Sequence, residues 1–322
     1  MKVEIDLVYP CHSKDKETLD LAIKYARMNI KNLRNIYVVS KDKLTDKAEW
    51  ISENIFPFTF QDMIDKIGNH QRTGWYYAGW IHLLSSVYIT GILDNVLICD
   101  SDTIFIKPVE FVDGNNKCLF NVSPSDGTPL YYEHMSKLIP GLTQQIERPW
   151  SGVAHHILIR REILKSMMDK SKEVHNKEFW NAWIDVTKEH YKSHINEKKY
   201  SGNERHEKGP GRATSYELYF NYAMKYFPND VKVRKLNSIM AYKGFLNVEG
   251  RNYIKPTKGS RTNLRGEVKV VSRNIEENKV FKSLEDCLEF HIEECIKQGF
   301  ESVTFQNHTR DGAHVKSHGN DR

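Results

Sequence analysis

The feature that most constrains the fold is the alternation of β-type and α-type segments over the first hundred residues. Short apolar stretches rich in Val and Ile span residues 3–9, 35–40 and 95–99, each of a length typical of a buried strand. Between them, residues 16–29 repeat apolar side chains at helical spacing, and residues 74–90 form a helical stretch rich in Trp, Tyr and Leu. This alternation predicts an α/β fold with a mixed, mostly parallel central sheet flanked by helices.

The remaining chain continues the pattern and then changes character. Further strands are predicted at 118–122 and 154–160, and helices dominate residues 161–227. Beyond a basic stretch at 247–265, a strand (267–271), a helix opened by Ser283 with Asp286 at the capping-box position, and a last strand (300–305) precede a polar tail. We therefore expect a first domain over residues 1–265 and a small α+β appendage over residues 266–322.

Composition narrows the class of protein. The 47 Lys and Arg against 42 Asp and Glu give a net charge of only +5, which is too little for a dedicated nucleic-acid binder and suits an anionic small substrate. The sequence has no stretch of 18 uncharged apolar residues, so it predicts no membrane span. The acidic amino terminus does not resemble a secretory signal. Five cysteines, an odd number without a CxxC pair, favour a reducing compartment and thus a cytoplasmic protein.

A pair of carboxylates follows the strand at 95–99. Asp100 and Asp102 stand one residue apart at the carboxyl end of this strand, the end at which open α/β sheets bind ligands. The two-residue period of a strand aims both side chains to one side, and a hard divalent cation relieves their repulsion. We expect Mn²⁺ or Mg²⁺ here, with open positions for a diphosphate. The simpler alternative is that Asp100 caps the strand and Asp102 starts a turn.

Phosphatases of the haloacid-dehalogenase type also carry such a pair, using the first Asp as nucleophile and the second as general acid. Their pattern usually opens the fold and has Thr or Val two residues after the second Asp. Here Ile104 stands at that place and about a hundred residues precede the pair, which disfavours this class. The absence of a Gly-rich phosphate loop near the amino terminus disfavours a nucleotidyltransferase. A non-catalytic nucleotide- or glycan-binding module is a further alternative.

Four sequence blocks follow one another along the chain in a specific order and spacing. They are DLVYPCHSKD from Asp6, RTGWYY from Arg72, ICDSDTIF from Ile98, and WSGVAHH from Trp150 combined with SYELYFNY from Ser215. Over residues 1–245 they resemble GT-A nucleotide-diphospho-sugar glycosyltransferases, in particular a branch from bacteria and large DNA viruses that includes the capsid-glycan transferases of algal viruses. The resemblance implies a GT-A fold and, if the chain is viral, a place in the host cytoplasm.

The resemblance also implies an activity. A hexosyl or deoxyhexosyl group would move from a nucleotide-diphospho-sugar, UDP- or GDP-linked, to a hydroxyl of a glycan or glycoconjugate acceptor with the help of Mn²⁺ or Mg²⁺. Neither the stereochemistry nor the sugar follows from the sequence, because fold-level analogy does not carry them.

The loop after the first strand is implied to hold the nucleoside. Its residues are Tyr9, Pro10, Cys11, His12 and Asp15. A loop at the carboxyl end of a first strand is the usual nucleotide-facing position, which agrees with this role. The alternative is that Pro10 merely ends the strand and Asp15 caps the next helix.

Further donor-binding candidates come from the other blocks. Arg72 precedes a helix start, where a guanidinium can hold a diphosphate, and Trp75 is the aromatic residue of that helix most suited to a pocket. Ser101 lies between the two carboxylates. His155 and His156 would lie on opposite faces if extended, so that one faces the site as a donor to sugar or phosphate or as a third metal ligand. Each residue has a purely structural alternative.

Two carboxylates are candidates for catalysis. Glu217 falls in the first turn of a helix that Thr214 or Ser215 can cap, and Asp126 lies in an SPSDGT segment. In an inverting transfer such a residue takes the proton of the acceptor hydroxyl; in a retaining one it stabilises positive charge on the sugar. The structural alternatives are a Glu that stabilises the helix dipole and an ordinary Asp-Gly turn.

Overall fold

The computed structural model describes residues 3–69, 73–124, 129–194, 213–242, 247–248, 251–252 and 283–306. The chain divides into two compact units. The first comprises Met1–His12, Lys31–Asp100 and Glu110–Lys235, and the second comprises Ser13–Ile30, Ser101–Val109 and Leu236–Arg322.

The elements follow in chain order. The strands are β1 (Ile5–Pro10), β2 (Leu33–Ser40), β3 (Glu49–Ser52), β4 (Asn95–Cys99), β5 (Thr103–Phe105), β6 (Cys118–Asn121), β7 (Ser123–Pro124), β8 (Trp150–Ser151), β9 (His156–Arg160), β10 (Val231–Arg234), β11 (Ser238–Tyr242), β12 (Asn247–Val248), β13 (Arg251–Asn252) and β14 (Ser302–Gln306). The helices are α1 (Lys16–Asn29), α2 (Phe60–Ile67), α3 (Thr73–Tyr88), α4 (Pro129–Leu138), α5 (Arg161–His175), α6 (Phe179–His194), α7 (Ser215–Tyr226) and α8 (Leu284–Lys297), with 3₁₀ turns at Ser13–Asp15 and Glu53–Ile55.

The first unit is built on a five-stranded sheet in the order β3-β2-β1-β4-β9. The first four of these strands run parallel, and β9 runs antiparallel to β4. In the strand register, Val8 on β1 pairs with Tyr37 on β2 and with Ile98 on β4. Strands β1 and β4 are buried along nearly their whole length and are mostly apolar, and α3 packs against both. The predicted mixed, mostly parallel sheet flanked by helices is confirmed.

An aromatic cluster holds α3 in place. Trp80 from α3 and Trp183 from α6 are fully buried with ring centroids 6.2 Å apart, and Phe58 lies 4.8 Å from Trp80. A Cβ added at Gly79 would stand 2.8 Å from the Trp183 ring, so only glycine lets the two helices approach this closely. The Trp- and Tyr-rich stretch is thus a core helix, as its composition indicates.

Smaller sheets complete the two units. In the first unit β10 pairs in parallel with β6, and β7 pairs antiparallel with β8. In the second unit β14 lies between β11, which is parallel to it, and β5, which is antiparallel, and β12 and β13 form an antiparallel pair. Helix α1 packs on β5 and α8, where the Tyr25 hydroxyl donates to Glu289 at 2.6 Å.

The carboxyl-terminal expectations are only partly within the described residues. The helix opened by Ser283 and the strand that follows it are present as α8 and β14. The boundary between residues 265 and 266, the strand expected at 267–271 and the polar tail lie outside the described residues, as does the greater part of the basic stretch at 247–265.

Several elements were not predicted. The strands among them are β3, a half-exposed edge strand, and the short strands β5, β7, β8, β10, β11, β12 and β13; the helices are α2 and α4. A signal for α2 was present in the sequence: Thr59 and Asp62 form a complete capping box at its start.

Among the helices in the described ranges, none is both long enough and apolar enough to cross a bilayer.

Candidate active site

Asp100 is the first residue after β4, at the carboxyl end of the parallel strands of the first unit. Its Oδ2 accepts a hydrogen bond from His155 Nδ1 at 2.9 Å, and its Oδ1 accepts one from the Tyr216 hydroxyl at 2.6 Å. His82 Nε2 stands 3.6 Å from the same Oδ1. The carboxylate is thus held from three directions, by the loop before β9, by α7 and by α3.

Local backbone geometry explains how His155 reaches Asp100. His155 has a left-handed backbone with φ 59°, and its carbonyl accepts the backbone N–H of Asp100 at 2.9 Å. His156, the first residue of β9, is buried and contacts Asn121 instead. The two histidines therefore meet different partners, as expected, but the extended geometry from which this was predicted is wrong at His155.

Sequence reasoning missed His82 and Tyr216. Their rings stack with centroids 5.1 Å apart and an interplanar angle of 25°, which fixes both beside Asp100. A signal for His82 existed, because it is a polar residue within an otherwise apolar core helix. Tyr216 carried none apart from its place next to Glu217.

Electrostatics keep the carboxylate charged. Burial by itself would raise the pKa of Asp100, but the hydrogen bond and charge of His155, the charge of His82 and the Tyr216 hydroxyl bring that pKa below its ordinary value. Burial lowers the pKa of His82, although Asp100 acts in the opposite direction. At neutral pH the site therefore presents the ionised carboxylate of Asp100 beside the neutral imidazole of His82.

This donor set fits a divalent metal in its chemistry. An ionised carboxylate and a neutral imidazole are both ready to ligate, and the mixture of oxygen and nitrogen suits Mn²⁺ better than Mg²⁺. Within the described residues, no three His, Cys, Asp or Glu side chains are arranged to hold a metal ion. Ser101 and Asp102 belong to the second unit, where Ser101 is buried and the Asp102 carbonyl accepts Phe305 N–H at 2.8 Å.

Glu217 is an internal anchor of the first unit. Its side chain is 1% exposed; Oε1 accepts the Tyr132 hydroxyl at 3.0 Å and Oε2 accepts Gly152 N–H at 2.8 Å. Burial raises the pKa of Glu217, and hydrogen bonds from Gly152, Ser151 and Tyr132 oppose the rise. Thr214 is the N-cap residue before this helix, and its side chain makes no capping hydrogen bond. Glu217 is in the first turn, as predicted, but both of its oxygens are engaged by the protein.

The glycine next to this anchor has no room for a side chain. A Cβ at Gly152 would collide with the Phe220 ring. Glu217 on α7 therefore holds a tightly packed segment that leads directly to His155.

The loop after β1 differs from the expected nucleoside site in one respect. The Tyr9 side chain is fully buried within β1, so it is not accessible to a ligand. Pro10 ends the strand, Cys11 is buried with its thiol directed to the His12 carbonyl, and His12 is exposed. In the second unit Asp15 occupies the position before α1 without a side-chain capping bond, so the simple capping alternative is not realised.

The two remaining aromatic and basic candidates have different outcomes. Trp75 is 39% exposed and stacks with Tyr131 at 6.4 Å between ring centroids. Arg72 and the catalytic candidate Asp126 lie outside the described residues.

Comparisons with known proteins give distant likenesses. No protein-family model matches the chain, and no curated protein matches it in sequence. Among solved structures, the galactosyltransferase LgtC in complex with donor and acceptor sugar analogues is 14% identical, with a TM-score of 0.36 over 73% of this chain and 75% of that one. An active-site mutant of LgtC is 11% identical, with a TM-score of 0.38 over 94% and 88% of the two chains. Mouse xyloside xylosyltransferase 1 in its apo form is 8% identical, with a TM-score of 0.37 over 74% and 88%.

Proposed function

We propose that the protein is a GT-A glycosyltransferase that takes a sugar from a nucleotide-diphosphate donor, UDP- or GDP-linked, and transfers it to a hydroxyl of a glycan or glycoconjugate. The observation that carries the proposal is Asp100, kept ionised at the carboxyl end of β4 by His155 and Tyr216. A charged carboxylate at this edge of a parallel sheet is suited to a site for a metal and a diphosphate. The four sequence blocks support the same class and its bacterial and viral branch.

Asp100 and Asp102 are the residues that would hold Mn²⁺ or Mg²⁺, with His155 as a further candidate ligand. The metal, when bound, supplies positive charge to the leaving diphosphate. Tyr216 and His82 orient the Asp100 carboxylate, because each contacts it from a helix that is packed into the core. His12, Asp15, Arg72 and Ser101 remain proposed donor contacts.

The acceptor hydroxyl must lose its proton to a base. Asp126 and Glu217 are the candidates for this role. The contacts of Glu217 with Tyr132 and Gly152 support a positioning role, since the carboxylate would have to give up one of them to reach a substrate.

A phosphatase of the haloacid-dehalogenase type is disfavoured by the sequence around Asp100. About a hundred residues precede this carboxylate, and Ile104 stands where such phosphatases usually have Thr or Val. The five cysteines are buried and without disulfides, which supports a reducing compartment.

The test is a thermal-shift and donor-hydrolysis screen of UDP- and GDP-sugars with and without Mn²⁺. We expect one donor to stabilise the protein only with metal and to release its nucleoside diphosphate slowly. Asp100→Asn should abolish both effects, because it removes the charge while preserving the shape.

Asp94→Asn is the matched control. Asp94 precedes the same strand at its opposite end and is 77% exposed in its side chain, so donor binding should be unaffected. Stabilisation that is indifferent to metal and to Asp100→Asn would refute the proposal.

A further inference from the structure

An aromatic pair in the first unit is unusual in its exposure. Trp75 lies in the first turn of α3 and Tyr131 in the first turn of α4; their rings are 6.4 Å apart and within 26° of parallel. Trp75 is 39% exposed, although a large aromatic side chain is normally buried to a greater extent. Tyr76 is fully buried, and its ring meets that of Trp75 edge to face with centroids 5.1 Å apart. A solvent-facing aromatic surface is therefore fixed by a core residue.

Two phenols follow each other next to this surface on α4. Tyr132, the neighbour of Tyr131, is half-buried and donates its hydroxyl to the buried Glu217 at 3.0 Å. This hydrogen bond ties the start of α4 to α7 and so helps to fix the position of Tyr131.

Hydrogen bonds of Tyr132, the neighbour of Tyr131, link α4 to the helix that contacts Asp100. Tyr132 donates to Glu217, and the residue before Glu217 on α7, Tyr216, donates to Asp100. Glu217 also binds the segment that leads to His155 through Gly152. Helix α4, which carries Tyr131, and the Asp100 carboxylate are therefore bound by adjacent residues of α7.

We propose that Trp75 and Tyr131 form a binding platform for a pyranose ring of the acceptor, so that the acceptor is a glycan. A pyranose has one face of C–H groups, which packs on an aromatic ring, and an edge of hydroxyls, which bond to polar groups. The Trp75–Tyr131 pair supplies the flat apolar face, and the phenol of Tyr131 adds a polar group to the same pair. The inference rests on the proposed function and names the substrate class of its second substrate.

The experiment measures sugar binding in the absence of donor and metal. Lactose, maltotriose and xylotriose are titrated against the full-length protein and followed by tryptophan fluorescence and by saturation-transfer NMR. We expect one of them to bind with a dissociation constant of about 1–10 mM and to perturb the indole signal of Trp75, which Trp75→Phe identifies by its disappearance.

Matched variants separate stacking from general exposure. Trp75→Ala should weaken binding by about tenfold or more, whereas Trp75→Phe, which keeps a ring, should weaken it only by about threefold. Trp50→Ala is the control, because Trp50 is also 39% exposed but stands on β3 with its indole N–H donated to Ser40. That variant should bind as the wild type does.

Three results would overturn the platform. They are no binding of any of the three sugars, equal loss in Trp50→Ala and Trp75→Ala, and competition by UDP or GDP alone at the Trp75 signal, which would mean that a nucleobase stacks there. Sugar binding that depends on Trp75, found together with no metal-dependent donor binding, would refute the transferase and leave a glycan-binding surface. The two failures are therefore distinguishable.

Discussion

At the residue scale, the roles of the acidic side chains follow from their partners. Asp100 is surrounded by donors that favour its charge, whereas Glu217 is buried deeply enough for desolvation to outweigh its hydrogen bonds. A carboxylate thus forms a charged site in the case of Asp100 and an internal anchor in the case of Glu217. The sequence made Glu217 a catalytic candidate from its place in the first turn of α7, because that place does not reveal how deeply the side chain is buried.

Replacement of Glu217 tests the anchor. Glu217→Gln should stay folded, lose about 1 kcal/mol and retain turnover within about tenfold, because an amide oxygen still accepts Gly152 N–H and the amide group still meets Tyr132. Glu217→Ala should lose about 2–3 kcal/mol, since a buried backbone donor and a phenol are left unsatisfied. Urea unfolding and nucleoside-diphosphate release measure the two quantities.

The outcome that contradicts the anchor is also clear. A fully stable Glu217→Gln variant with turnover reduced by a factor of about 10² to 10⁴ would assign Glu217 the proton-transfer role instead.

At the element scale, local signals predicted the elements in which apolar periodicity and burial agree. Helix α1 and strand β4 have the predicted bounds, and α3 is within two residues of them. Strand β3 was missed because an edge strand with exposed residues lacks an apolar run. The sequence also did not predict the antiparallel direction of β9, because that direction depends on how the chain returns to β4 between Cys99 and His156.

The start of α8 shows how far a local signal reaches. The Ser283 hydroxyl accepts Asp286 N–H at 3.0 Å, as the sequence pattern predicts. We expect Ser283→Ala to lower the free energy of unfolding by about 1 kcal/mol, because one donor at the helix start loses its partner.

Urea unfolding of the full chain measures this loss. Ser283→Asp is the control, since its carboxylate accepts the same bond and should leave stability within about 0.5 kcal/mol of the wild type. Equal losses in both variants would show that the cap does not stabilise α8.

At the scale of the whole molecule, buried neutral histidines make the fold sensitive to acid. Burial lowers the pKa of His291 to about 4, and burial together with the charges of Arg234 and His155 lowers that of His156 to about 3. An unfolded histidine titrates near 6.5, so between these values the unfolded state binds more protons than the folded state. Stability is full above about pH 6.5 and falls as the pH decreases.

His291 provides the test. From pH 6.5 to 4 its contribution to the loss of stability should reach about 3 kcal/mol, which His291→Gln should remove because an amide does not titrate. Urea unfolding at several pH values measures this as a flatter stability profile. His12→Gln, at an exposed position, is the control and should leave the profile unchanged. Parallel profiles for the wild type and His291→Gln would contradict the prediction.

The sequence by itself determined the alternating order of strands and helices, the strand that ends at Asp100 and the capped start of α8. Each of these rests on residues a few positions apart, and periodicity and capping act over that range. Only the tertiary structure decided that Tyr216 and His155, 116 and 55 residues away along the chain, would meet Asp100, and that Glu217 would be enclosed. Such contacts arise from the packing of whole elements, and no local pattern carries them.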